Sequence, residues 1–347
     1  MSAGISARIP KLVQSAKIPL VRLSQLRMDL FTSTMGTVGI GLTWRAASEV
    51  IGAPVAIGEL ILLAGGILYL VLLALQFLRF IMIRQSVIEE WRSPPAFMFF
   101  SAATISGLLL ALAALPYSAV LANCIWWPAT IAQLVLLFAA MRRWIIRPHN
   151  IADLGPTWLI PMVGNASPAF AGIALGHVDL SRALLMSAIL CWLVFQPLIL
   201  FRVVFAEPKL PPVALPSLNI MVSAPAVIAI ASWMTFGKGN FFSEFMTYCA
   251  LFFAISIATL GRRLVEAPFS RRWWGFTFPM AALSSALIRL SDVRPGAFTM
   301  SLAVAGLTIA TIVVAGIATR SLRYLTAPLA SAAALEPHNK EQDDATI

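Results

Sequence analysis

Apolar runs of about membrane length alternate along this chain with short, basic connectors. Ten such runs lie near residues 29–47, 55–79, 96–114, 118–141, 157–176, 183–203, 213–235, 243–261, 273–290 and 297–319. Most reach the roughly 17–25 residues that a helix needs to cross a bilayer. The fifth and ninth are interrupted by proline. The runs come in pairs whose starts are spaced roughly 56–67 residues apart, and short turns such as Leu115-Pro116-Tyr117 close them. This reads as an all-α polytopic membrane protein, with ten transmembrane helices as five helical hairpins in a weak internal repeat. A repeat of this kind can surround an axis, but its period alone does not show a ring.

The two members of each pair differ in texture. First members carry Gly36, Gly39 and Gly41, then Gly107, then Pro161, Gly164, Pro168 and Gly172, then Pro216 and Pro225, then Gly275 and Pro279. Second members are longer unbroken stretches of Leu, Ile, Val and Phe, although Pro128 and Pro197 fall among them. Small residues let helix backbones approach closely. Proline removes an N–H and frees a carbonyl one turn back, which the bilayer tolerates only where protein or a water-lined cavity satisfies it.

Composition agrees with the pattern. Of 347 residues, 59% are hydrophobic and 12% charged, about half the charge of an ordinary soluble domain. The net charge of +10 sits in clusters between apolar runs, which is the signature of cytoplasmic loops and not of a nucleic-acid face. Alternate connectors hold 20 of the 25 Lys and Arg, so both termini are expected in the cytoplasm. Three parts follow: a basic segment over residues 1–28, a ten-helix domain over 29–323, and a polar tail over 324–347 expected to be disordered.

Chemistry is scarce. Cys124, Cys191 and Cys249 stand alone in apolar runs, and His149, His177 and His338 have no carboxylate at ligand spacing, so no metal, cofactor or redox site is expected. Phosphate-loop and dinucleotide-binding glycine patterns are missing from the sequence. Arg142, Arg143, His149, Asn150 and Asp153 are the nearest approach to a catalytic cluster, the basis of a remote alternative as a membrane enzyme; the chain is otherwise read as no enzyme. None of the acidic residues falls in the middle of a run. Coupled carriers usually retain an intramembrane ionisable group, so this favours passive flow.

Two stretches carry a resemblance. WWGFTFP, Trp273 to Pro279, followed by a small-residue run, and MGTVGIGLTWRAAS, Met35 to Ser48, resemble the ninth and first helices of the tellurite-resistance/dicarboxylate transporter family. TehA-type bacterial proteins and the plant slow-type anion channels belong to that family. The resemblance implies a gated anion channel in the plasma membrane, the inner membrane if bacterial. It implies a homotrimer with a pore in each protomer, ringed by the first helices of the five hairpins. It also implies that Phe278 plugs the pore. Since the family contains carriers, the alternative is a proton-coupled exporter of sulfite, dicarboxylate or tellurite-type anions.

On this reading Pro279 bends the ninth helix near its middle, and Gly36 or Gly39 supplies room opposite the ring. Pro168 and Pro225 line the pore or support the gate, in a passage without charge. Arg45, matching the family's Trp-Arg pair, stands at the outer mouth and pairs with an acidic residue such as Glu49. Small inorganic or organic anions and the lipid bilayer are the expected partners.

Overall fold

The computed structural model describes residues 23–266 and 269–326, and these are helical or irregular with no strand among them. The expectations for the first 22 residues and for the tail beyond 326 fall outside the described part.

Helical structure occupies each apolar run. The long helices are α1 (Phe31–Ile51), α2 (Val55–Met82), α3 (Phe100–Ala114), α4 (Ala119–Ile146), α5 (Val178–Phe205), α6 (Ile220–Phe236), α7 (Phe241–Ala258), α8 (Thr277–Val293) and α9 (Ala297–Thr326). Among the described residues seven helices are long and apolar enough to cross a membrane on those two measures. Between α4 and α5, residues 156–172 form a chain of short helical pieces, Pro156–Trp158, Leu159–Val163, Gly164–Ala166 and Ala169–Gly172.

Local chemistry sets the ends. Gly52 closes α1 in the left-handed conformation (φ 70°), which an L side chain resists. Ser118 opens α4 by accepting a hydrogen bond from the Leu121 N–H, and Asn240 opens α7 by accepting one from Ser243.

The segments pack in two layers. Each first member packs on its own partner: α1 on α2, α3 on α4, residues 156–172 on α5, α6 on α7 and α8 on α9. The first members also pack on one another in order. α1 meets α3, α3 meets residues 156–172, these meet α6, α6 meets α8, and α8 returns to α1. That closes a ring. Burial follows the layers: 67% of the apolar window of Pro94–Ala114 and 83% of that of Ala214–Phe236 are buried, against 17% in α2 and 39% in α4. The outer helices present large apolar side chains outward, among them Leu60, Leu70, Phe77, Phe138 and Ile312.

Backbone freed by the inner breaks is satisfied from the outer layer. Pro225 has no N–H for the carbonyl of Met221, one turn back; Gln196 of α5 donates its Nε2–H to that oxygen at 3.0 Å. Gln133 of α4 donates in the same way to the Pro161 carbonyl at 3.0 Å, and Trp126 adds its indole N–H at 2.8 Å to the Pro168 carbonyl, which also accepts the Gly172 N–H. All three donors are almost wholly buried.

At the arginine-rich face Arg79, near the end of α2, is buried against Glu90 at 2.6 Å. Glu90 also accepts the Met28 N–H at 2.8 Å, which ties the entry of α1 to the short helix Arg84–Arg92.

A double-mutant cycle tests the satisfied break. Gln196→Leu is expected to destabilise the protein by about 1–3 kcal/mol, because it leaves a buried carbonyl without a donor. Adding Pro225→Ala restores a backbone N–H to Met221, so thermal unfolding in detergent should show a smaller combined loss than the two single losses added.

Candidate functional site

The ring encloses two cavities that share two lining residues. The larger, about 150 Å³, lies toward the face with the short turns. Its lining includes Gly39, Leu109, Phe170, Ile230, Ala281 and Ser285, with Arg45, Glu49 and Arg289 among its charged residues. The smaller, about 50 Å³, lies toward the arginine-rich face and is lined by residues such as Thr32, Met35, Ile160, Ser167, Ser223 and Gly275. Phe278 and Val227 belong to both linings. Val227 comes from α6, and Phe278 is the second residue of α8.

The start of α8 is set by its sequence. Arg271–Phe276 form a 3-10 turn, and Thr277 donates its hydroxyl to the Trp274 carbonyl at 2.7 Å as the α-helix begins. Pro279 therefore sits in the first turn of a helix and does not bend one in its middle, as the sequence had suggested. First-turn N–H groups have no intrahelical acceptor, so proline is admitted there at little cost. The break lies before the helix, in residues 271–276, and it leaves Phe278 at the level of the inner ring.

Opposite Phe278 stands the glycine face of α1. A Cβ placed on Gly36 would overlap the Thr277 side chain, so Gly36 admits the start of α8 and borders neither cavity. A Cβ on Gly39 would meet the Phe278 ring at 3.2 Å, and Gly39 lines the larger cavity. One turn on, Thr43 fixes the two helices together. Its hydroxyl lies 2.9 Å from the Gly39 carbonyl, 3.0 Å from that of Ala281 and 2.8 Å from the Ser285 hydroxyl.

The other expected residues are placed differently. Pro168 and Pro225 border neither cavity; Pro225 stands where Gln196 satisfies the Met221 carbonyl, and the Pro168 carbonyl takes the Trp126 indole N–H in addition to the Gly172 N–H. Arg45 does line the larger cavity, but its partner is Glu59 and not Glu49. Its Nε and Nη2 donate to both Glu59 carboxylate oxygens at 2.7 and 2.8 Å, and Nη1 donates to the Ala113 carbonyl. Close packing explains the choice. A Cβ on Gly58 would lie 3.1 Å from the Arg45 backbone nitrogen and 3.1 Å from the Gly41 carbonyl, so α2 presses against α1 and carries Glu59 into reach.

Tyr117 in the turn before α4 also donates its hydroxyl to Glu59, at 2.6 Å; that hydrogen bond raises the phenol's pKa above its usual value. The expectation of a passage without charge fails at this end, because Glu49 and Arg289 also line the cavity.

Sequence reasoning missed Arg289, Glu49 and Val227. The spacing of Phe278, Ala282, Ser285 and Arg289 is a helical stripe, and reading it from a helix start at Thr277 would have put Arg289 on the Phe278 face. Three of the residues weighed for a catalytic cluster are engaged elsewhere. Arg143 lies over the Phe97 ring at 3.8 Å and donates to the Trp91 carbonyl, while Asn150 and Asp153 cap a short turn.

Two glycine substitutions separate close approach from open space. Gly36→Ala must displace Thr277, and overpacking of this kind costs about 1–3 kcal/mol. Gly39→Ala meets a ring edge that borders a cavity, and its melting temperature should fall by much less. Equal losses in the two variants would remove the distinction.

The comparisons with known proteins agree with this architecture. The family model described as voltage-dependent anion channel (SLAC1) matches residues 25–322. The S-type anion channel SLAH2 of Arabidopsis thaliana is 29% identical over 254 residues, 72% of this chain and 47% of that protein. The tellurite resistance protein TehA homolog of Haemophilus influenzae is 20% identical over 267 residues, 74% of this chain and 78% of that protein. The guard cell S-type anion channel SLAC1 of Arabidopsis thaliana is 27% identical over 141 residues, 41% of this chain and 25% of that protein. The chain thus spans about half the length of the SLAH2 protein it matches. With a family model matched over most of its length and an all-helical, membrane-apolar fold beneath it, the chain belongs to the SLAC1 family of voltage-dependent anion channels.

Proposed function

We propose that this protein is a passive, gated anion channel, with the pore running down the five-segment ring and closed by the Phe278 ring. The observation that carries the reading is that Phe278 and Val227 line both cavities. An aromatic ring across a narrow apolar passage blocks an ion sterically and resists wetting. Because the residues on either side of the ring line open space, removing it opens a path.

All ten helical segments cross the membrane on this reading, as five hairpins. The three below the length-and-apolarity measure, α1, residues 156–172 and α8, are shielded by the outer layer and need less apolar surface. Residues 29–323 make up the channel domain. The arginine-rich face is cytoplasmic, as are both termini, and the larger cavity opens outside. The channel assembles as a homotrimer in the plasma membrane, the inner membrane of a bacterium. The names of the SLAH2 and SLAC1 relatives support anion flux. That of the TehA homolog keeps a coupled exporter as the second reading, which single-channel recording separates: ohmic steps mark a channel, and saturating, proton-dependent flux marks a carrier.

Two outcomes test the proposal. Phe278→Ala should express well and give basal anion current much larger than wild type. Truncating a core phenylalanine instead costs about 3–5 kcal/mol of stability, so unchanged current with a sharply lowered melting temperature would remove the plug. Reporter fusions after Tyr117 and after Thr326 should report opposite sides of the membrane, and identical readouts would remove the ten-crossing topology.

A further inference from the structure

The larger cavity holds a guanidinium without a partner. Of the other basic residues at the short-turn face, Arg45, Lys238 and Arg294 are paired with Glu59, Asp292 and Glu244 at 2.7, 2.6 and 3.1 Å, and Arg182 is exposed and outside the cavity lining. Arg289 is partly buried and lines the cavity. Among the described residues it has neither an ion pair within 4.0 Å nor a hydrogen bond. Glu49 and Asp292 are the carboxylates whose fields reach it. Glu49 is exposed and lines the same cavity, yet makes no contact with the guanidinium of hydrogen-bond length. A cation that is partly withdrawn from water and left unpaired keeps its donors for something else.

The rest of the lining does not compete for that role. Thr43 has one hydroxyl proton and two carbonyl acceptors, on Gly39 and Ala281, at 2.9 and 3.0 Å. With that proton given to a carbonyl, the Ser285 hydroxyl donates to the Thr43 oxygen at 2.8 Å, and no Ser285 proton is left for the cavity. Arg45 has Nε, Nη1 and Nη2 each engaged. Phe278 and Arg289 are eleven residues apart on one stripe of α8, so their backbone positions are separated by about 16 Å of helix rise.

We propose that Arg289 is the docking group for an anion entering the larger cavity, and that Glu49 at the rim is its built-in competitor. The inference rests on the anion-channel reading above. The ligand class is a small planar oxyanion such as nitrate or a monocarboxylate. The fork of a guanidinium matches two coplanar oxygens, whereas a spherical halide engages it with less geometric specificity. A cavity of about 150 Å³ admits such an ion with part of its hydration.

The test uses the full chain in detergent and in liposomes, with nitrate exchanged for a bulky, non-planar sulfonate buffer anion at constant ionic strength. Binding is read first on the closed wild-type protein, as the nitrate-dependent rise in melting temperature, which needs no open pore. Arg289→Gln should weaken the half-saturating nitrate concentration about tenfold, the loss of one charge-assisted contact. Arg289→Lys should recover chloride binding more fully than nitrate binding. Glu49→Gln should tighten nitrate about threefold, by removing the competing carboxylate.

The same shifts should appear in the concentration dependence of nitrate flux through Phe278→Ala. Nitrate stabilisation that is equal in wild type and Arg289→Gln overturns the docking site, whatever the flux. Should Arg289→Gln fail to fold, unchanged nitrate affinity in both Arg289→Lys and Glu49→Gln overturns it instead. If Phe278→Ala stays closed while Arg289→Gln still weakens nitrate binding about tenfold, the docking site stands and the plug falls.

Discussion

A broken backbone inside a membrane must find its hydrogen bonds within the protein, and this constraint orders the rest of the structure. The bilayer core offers no water to a freed carbonyl, and each one left bare costs several kcal/mol. Here the freed or irregular carbonyls belong to the inner ring, and the donors are buried side chains of the outer helices, Gln133, Gln196 and Trp126. The outer layer thus does more than face lipid. It holds the interrupted inner segments at fixed depth, and each bond joins an outer helix to an inner segment of the following pair.

Once the inner segments are held this way, they can give up the features of an ordinary spanning helix. They are free to be short, to begin with a 3-10 turn, and to carry Thr, Ser and Gly in place of Leu. Residues 156–172 show the extreme case, four helical pieces in place of one. The start of α8 shows the useful one. Beginning the helix at Thr277 sets Phe278 at ring level, and the absence of a side chain at Gly36 lets α1 come close enough to face it. Thr43 then fixes the spacing between α1 and α8 one turn beyond. A ring held by packing and hydrogen bonds on both flanks can border open space without collapsing into it.

The helical membrane fold was legible in the sequence, because hydropathy reports lipid contact, whereas the ring came from the family resemblance and not from the period of the runs. The inner helices announced themselves by what they lacked, through Gly36, Gly39 and the prolines. What the sequence could not place was partner choice. Glu49 lies one turn from Arg45 and is the natural local candidate, yet a glycine-mediated approach of α2 brings Glu59 closer. Pro279 misled for a related reason. A proline two residues inside a helix and one at its middle look alike in a hydropathy plot, and only the helix start distinguishes them. Arg289 lies at the end of the ninth apolar run, and its meaning depends on which face of α8 it occupies.

The placement of charge along the proposed path has its own logic. An ion-binding site strong enough to replace full hydration at the narrowest point would hold the ion there and stop flow, so conduction needs attraction that is weak or remote from the constriction. Around Phe278 and Val227 the lining is apolar and carries no ionisable side chain, and the cavity's charged side chains stand toward the short-turn face. Arg45 is neutralised by a bidentate carboxylate and so acts as a brace between α1 and α2. Arg289 keeps its charge available, but Glu49 stands within its field and limits how tightly any anion is held. On the proposed reading this pair sets the balance between capture and release, while the ring at Phe278 sets whether flow occurs at all. Separating the two functions along one helix face lets either change without disturbing the other.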